Sequence, residues 1–485
     1  MLSKKLMSLL GTFSKSELTR FRKYLASPYF NENEDLICLF AIVEKHLRKL
    51  EEGDDLFALK KARVWKQLFR GAPYVDSVIR RLSFELNQHA YQFLLVEKQR
   101  VQDGHSQLVL LDYFIEHQLE KHYLSLRRQL AAKFTEQVAP DMLHYFQHFQ
   151  WQLREHKKIE KSRPKKPFFQ HIETADYRLD CFYLLQKLRH YCDALGYQLF
   201  LCQEANIRIP PFFLSFIEEH FLAEAPVKAY YLVAQMLMHP EEAHLFKSLK
   251  QYLLEQQASI DRHDLQILYI HLQNYCIHIK INAGHTEYFQ ELFDIQKTLI
   301  EQEIVFEDGV LGTQYYKNVI TVGLHIKAFD WVEHFIQHYT ERLPKAKQEN
   351  SLNYNLAKVY FHRKEYDRVI ELLREVTYKN INYALGGKLM LLKTYYEQQE
   401  YLVLDSLADS FRIYLQRNKL ISRSLKQQYL NLIRFVKKLS NVAPYDKAAI
   451  AKMERDAKQS KSLADKAWVF EKIRELKGVS VETEV

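Results

Sequence analysis

Apolar residues recur at i, i+3, i+4 and i+7 through almost the whole of this 485-residue chain, in successive segments of roughly 12–25 residues, and strict alternation is rare. A helical period repeated this often requires each segment to bury one face against another helix, so the sequence predicts an all-α protein. Punctuation is sparse to match. The 12 glycines and 11 prolines are fewer than half of what ordinary usage, about 7 % and 5 %, would supply. That excludes sandwiches and barrels, which need frequent turns. The 31 tyrosines and 30 phenylalanines exclude a disordered chain. At about 100–200 residues per domain, the length allows two to four units or one long repeat array.

The expected helices can be bounded by their caps and breakers. The first spans about Glu17–Ala26, opened by the capping box Ser14-Lys15-Ser16-Glu17 and stopped at Ser27-Pro28. Asn31 to Asn33 cap the next, about Glu34–Leu50, and Ala58–Phe69 and Val75–Val101 form a pair broken at Gly71-Ala72-Pro73. Residues 1–103 therefore read as an N-terminal helical module, and 104–156 as a hairpin region with helices near Gln107–His117, Leu119–Gln137 and Pro140–Glu155. Lys157–Pro167 carries six basic residues, one acidic residue and two prolines, which marks 157–171 as a basic linker. Divergent hairpins follow over 172–312, with breaks near Gly196, Pro210-Pro211, Pro226, Pro240, Gly284 and Gly309. Residues 418–485 complete the chain as a basic helix and a charged helical tail.

Between them, 313–417 contains a repeat. Leu356-Ala357-x-x-Tyr360 followed by Glu365-Tyr366 aligns with Leu391-Leu392-x-x-Tyr395 followed by Glu400-Tyr401, so both tyrosines recur 35 residues apart. Upstream, Ala328-Phe329-Asp330-Trp331 takes the place of Glu365-Tyr366-Asp367-Arg368, and Pro344 closes that unit. This pattern resembles the tetratricopeptide repeat, a helix–turn–helix unit of about 34 residues. Val369, Val376, Leu404 and Phe411 stand where the family's second helix carries small residues, so closest helix packing is altered. The resemblance implies an α-solenoid. Separately, Phe13–Leu18, Ser27-Pro28-Tyr29-Phe30-Asn31 and Leu68–Tyr74 are similar to an arrangement in uncharacterised large helical proteins of Bacteroidota-type bacteria, which implies no active site.

Chemical motifs are weak. Two H-x-x-x-H pairs, His144/His148 and His334/His338, put two imidazoles on one helix face, but neither has the Glu of H-E-x-x-H. Glu241-Glu242-Ala243-His244 reads as an acidic first helical turn, and Arg262-His263-Asp264 as the start of a helix capped by Asp261. Phosphate-cradling loops and nucleophile elbows are absent. No metal and no cofactor is expected, and a helical metal-dependent hydrolase using His144, His148 and His263 is the enzymatic alternative to a non-enzymatic protein. The five cysteines lack C-x-x-C spacing and read as buried reduced thiols. No run approaches the about 18 apolar residues that span a bilayer. Lys4 and Lys5 precede an apolar stretch too short for a signal peptide, so a cytoplasmic protein without membrane contact is expected.

Binding candidates come from the repeat register. In the tetratricopeptide family the first helix of each unit lines a concave groove. The matching positions are Tyr354, Asn355, Lys358 and Phe361 in one unit and Lys393 and Tyr396 in the next. Lys358 and Lys393 hold the same repeat place, and a lysine pair beside aromatic rings can receive a carboxylate or an acidic peptide. The second candidate is a basic stripe, because Ser410–Tyr445 contains Arg412, Arg417, Lys419, Arg423, Lys426, Arg434, Lys437 and Lys438 and no acidic residue. It can hold a nucleic-acid backbone, meet an acidic protein, or be neutralised by acidic neighbours. The net charge of +9 is thus localised, since the linker contributes +5, the stripe +8, and the remaining chain −4. The expected function is a scaffold for protein–protein interaction, the alternative a nucleic-acid-associated or regulatory protein using the stripe.

Overall fold

A computed structural model of the chain describes residues 2–49, 59–101, 103–161, 169–201, 207, 209–374, 381–443, 446–460 and 462–478. These residues are almost wholly helical, as the periodicity predicts. No helix among them is long and apolar enough to cross a membrane. The chain divides into two compact units, residues 1–137 with 142–182, and residues 138–141 with 183–485.

In the first unit, α1 (Lys4–Leu10), α2 (Lys15–Leu25), α3 (Glu34–Leu47), α4 (Lys61–Leu68) and α5 (Asp76–Val101) share one buried cluster. Phe21 sits at its centre, 4.8 Å from Phe40 and 5.1 Å from Phe93 between ring centroids. The capping box of α2 is reciprocal: Ser14 Oγ accepts from the Glu17 amide at 3.2 Å, and the Glu17 carboxylate accepts from the Ser14 amide at 2.8 Å. Such a cap stabilises a helix by about 1 kcal/mol. Helix α1 is an addition to the sequence reading; Leu6, Met7 and Leu10 are fully buried and make the short apolar stretch a core element.

A second buried cluster joins α6 (Asp103–Glu116), α7 (Glu120–Glu136) and α8 (Met142–Lys161). Helix α8 continues through Lys157–Lys161, the first part of the expected linker; Ser162–Pro167 lie outside the described residues. The reason is charge pairing. Lys158 Nζ lies 2.9 Å from Glu120 and 3.1 Å above the Tyr123 ring, which holds this basic turn against α7.

The boundary between the units falls within α9 (Gln170–Leu201). No break occurs at Gly196. Leu185, Leu188 and Cys192 are buried along the helix, and that packing outweighs the roughly 1 kcal/mol preference of a helix against glycine. The second unit continues with α10 (Phe213–His220), α11 (Ala225–Met238), α12 (Ala243–Gln256), α13 (Arg262–Asn274), a π-helical turn at Tyr275–Lys280 and α14 (Tyr288–Glu301). Strands β1 (Phe306–Glu307) and β2 (Val310–Leu311) then pair antiparallel, Phe306 with Leu311 and Glu307 with Val310. The remaining helices are α15 (Thr313–His325), α16 (Phe329–Tyr339), α17 (Gln348–His362), α18 (Tyr366–Arg374), α19 (Ile381–Glu397), α20 (Tyr401–Arg417), α21 (Arg423–Asn441), α22 (Lys447–Gln459) and α23 (Lys466–Leu476).

The 35-residue recurrence has a physical counterpart at the turns. Lys364 and Gln399, one period apart, both adopt left-handed φ, 63° and 58°. The next amide in each case donates back to a repeat tyrosine, Glu365 N to Tyr360 O and Glu400 N to Tyr395 O, both at 2.9 Å. Each turn is closed by an edge-to-face aromatic pair, Phe361–Tyr366 and Tyr396–Tyr401. Lys327 repeats the turn upstream, with Ala328 N donating to Gly323 O. Besides the hairpin contacts, α15 packs on α17, α17 on α19 and α19 on α21. Val376, one of the expected departures from the family pattern, lies outside the described residues.

Candidate functional site

Along α17, Tyr354, Lys358 and Phe361 stand at i, i+4 and i+7 and so share a face. On α19 the matching face carries Gly386, Met390 and Lys393; on α15 it carries Thr321 and His325. These faces, with Phe289 of α14, line a cavity of about 460 Å³. Gly386 is required there, because a Cβ would run into the Tyr354 hydroxyl oxygen.

The charges around the cavity are unequal. Lys393 Nζ pairs with Asp465 Oδ2 at 2.7 Å and lies 4.8 Å from the Phe361 ring centroid. Lys358 Nζ lies 5.0 Å from the Tyr354 centroid, and no carboxylate among the described residues pairs with it. Burial, with the neighbouring Lys317, holds the Lys358 ammonium below its ordinary pKa. His362 is likewise pushed down by burial, then by Lys393 and Lys358. His325 lies against Phe289 with the rings tilted and their centroids 3.7 Å apart. The cavity therefore joins aromatic and aliphatic walls to one uncompensated ammonium, a combination suited to an anion carried on an apolar body.

Of the six groove residues expected from the register, four line this cavity: Tyr354, Lys358, Phe361 and Lys393. The other two do not. Asn355 is buried and its Nδ2 donates to Ser351 O at 2.8 Å, which uses it as a core residue. Tyr396 packs edge-on against Trp468 at 5.3 Å, covered by α23. Sequence reasoning missed His325, His362 and Phe289. The signal for the histidines was present, since each follows a lining residue by four positions, Thr321 and Lys358.

The basic stripe is interrupted in space. Lys437 lies 3.1 Å from Asp409 and 3.4 Å from Asp405, Arg412 lies 3.4 Å from Asp409, and Lys438 lies 2.9 Å from Asp456. These carboxylates flank the acid-free window in sequence and face it in the fold. Arg417, Lys419, Arg423, Lys426 and Arg434 have no ion-pair partner among the described residues.

The remaining motifs resolve into structural roles. His148 is buried between Phe134 and Trp151, 4.7 Å and 5.6 Å away, and desolvation lowers its pKa to about 4. His334 and His338 stack on each other at 3.9 Å on an exposed face. Asp261 caps α13 by accepting from the His263 and Asp264 amides, as expected, and buried Asp264 accepts from the Tyr230 hydroxyl at 2.9 Å. Glu241 and Glu242 precede α12 rather than forming its first turn. With His239 they are, among the described residues, the one group of three whose ligand atoms converge, and all are exposed. Cys181, Cys192 and Cys276 are buried thiols; Cys38 is exposed, because it falls on the outer face of α3, and Cys202 lies outside the described residues. No family model, curated protein or solved structure matches the chain.

Proposed function

We propose that this protein is a non-enzymatic helical-repeat scaffold, a tetratricopeptide-like α-solenoid, that binds an acidic segment of a partner protein at the Lys358 cavity. The observation that carries this reading is the unpaired Lys358 ammonium among the rings of Tyr354 and Phe361. A half-buried ammonium without a counter-ion is partly desolvated with nothing to offset the loss, and a ligand carboxylate supplies the missing partner. The recurrent turns and the packing of α15, α17, α19 and α21 on one another are the neighbour-to-neighbour pattern that stacked hairpins produce. A cavity of about 460 Å³ falls in the usual range for ligand sites and suits a few side chains of an extended segment. The stripe is not part of this reading, because three of its eight bases are already paired.

The test is affinity purification with mass spectrometry using the full chain and a Lys358→Glu variant. Lys358 is the better probe than Lys393, whose replacement would also strand Asp465. Loss of one or more specific partners from the variant is expected; an unchanged set of partners removes the cavity as the binding face.

A further inference from the structure

A second cavity of about 630 Å³ opens one turn away on α15: Tyr315 and Asn318 line it, whereas Thr321 and His325 line the first. Its walls come from α13, the π-helical turn, α14, α15 and the β1–β2 hairpin. Irregular structure converges here. The π-helical turn supplies Ile277, and such turns are frequent at functional sites. The hairpin is an insertion between α14 and α15, and insertions in repeat arrays tend to fall on the binding face. It is held firmly, since Arg262 Nη2 donates to Phe306 O at 2.8 Å and Arg342 Nε donates to Gly309 O at 2.8 Å. Tyr315 forms part of the cavity wall, while its hydroxyl oxygen is shielded from solvent and bonds no described group.

The chemistry of the walls is opposite to that of the first cavity. Among the described residues, no Lys, Arg or His lines it. The Glu307 and Asp308 carboxylates at its edge are exposed and have no ion-pair partner among the described residues. The Asn274 carboxamide bonds no described group, and Asn318 uses only its oxygen, accepting from Gln314 at 3.0 Å. Ile270, half exposed at 51 %, and Val310 at 43 % offer uncovered apolar surface beside these polar groups.

We propose that this cavity binds a lysine or arginine side chain on an extended segment of a partner protein. The aliphatic stem lies along Ile270 and Val310, the cation meets Glu307 and Asp308, and the carboxamides of Asn274 and Asn318 pair with the segment's backbone. Charge complementarity selects a cation, and carboxamides on two helices match a peptide backbone rather than an isolated amine. The inference stands apart from the Lys358 reading, because the two cavities call for opposite charges.

Short Ala/Ser peptides with one central Lys, Arg, Gln or Glu, fluorescently labelled, provide the probe. With the full chain, the Lys and Arg peptides should bind at least about tenfold more tightly than the Gln peptide, about 1.4 kcal/mol. Glu307→Gln/Asp308→Asn, near-isosteric changes at exposed positions, should abolish that preference, and added salt should weaken it. Asn274→Ala should weaken all peptides alike, while Lys358→Glu should leave the preference intact. Equal binding of Lys and Gln peptides would overturn the proposal. So would spermidine binding as tightly as the peptides and displacing them, which would mark a free polyamine site, or loss of the preference in Lys358→Glu.

Discussion

The two cavities of the second unit share helices α14 and α15 and differ in almost everything else. The Lys358 cavity is built from regular helices at repeat positions, with aromatic walls and an excess of positive charge. The Asn274–Asn318 cavity is built from a π-helical turn and a β-hairpin, with amides and unpaired carboxylates. The contrast teaches that a recurring sequence register fixes where side chains converge, whereas an irregular segment such as the hairpin decides what chemistry a neighbouring stretch presents.

Four substitutions sharpen or break that contrast, beginning with the largest effect. Lys472 is buried, with Nζ 2.8 Å from Glu397 and 2.9 Å from Glu475, and these carboxylates raise its pKa against the opposing effect of burial. Lys472→Ala strands Glu397 and should cost about 3–5 kcal/mol in urea unfolding, the range for breaking a buried pair. Because Trp468 Nε1 also donates to Glu397, the loss loosens the α23–α19 contact beside the basic cavity. Gly386→Ala comes next, at about 1–3 kcal/mol for overpacking against Tyr354. It should diminish anion binding at the basic cavity and leave Lys-peptide binding at the acidic one unchanged in the same titration.

Gly309→Ala should cost about 1 kcal/mol, since φ is +77° and no atom lies near enough to clash. Its functional effect should be confined to the acidic cavity, as a weaker Lys-over-Gln preference. The smallest effect is a gain: Lys358→Met should raise stability at neutral pH. The unfolded lysine keeps its proton to about 10.5 and the folded one releases it earlier, so between those values the unfolded state binds more protons. Wild-type stability should therefore climb as pH rises towards 10.5, and the variant should lack that climb. Urea midpoints across the alkaline range decide it, and a variant with the wild-type slope would show that Lys358 carries no such burden.

Much of this was legible in the chain. The helical class follows from the period of its apolar residues, and the spacing of Tyr360 with Tyr395 and of Tyr366 with Tyr401 marks turns that share one geometry. Tyr354, Lys358, Phe361 and Lys393 could be brought together by register alone. What register could not supply is long-range partnership. Nothing near Lys393 names Asp465, and nothing in the acid-free window names Asp405, Asp409 or Asp456. The hairpin is a different kind of miss. Asp308-Gly309 is a strong two-residue turn signal, with positive φ at both positions, but the strands it joins have two residues each, too short for alternation to stand out against the helical period around them.

Asp465 lies 72 positions beyond the lysine it neutralises. The basic cavity's potential is therefore set in part by the residue that opens α23: lifting that helix would present two uncompensated ammonium groups in place of one. Linkage makes the relation mutual. An anion that binds more tightly once Asp465 has left must itself favour that departure, so ligand occupancy at α17 and docking of the last helix are two readings of a single equilibrium.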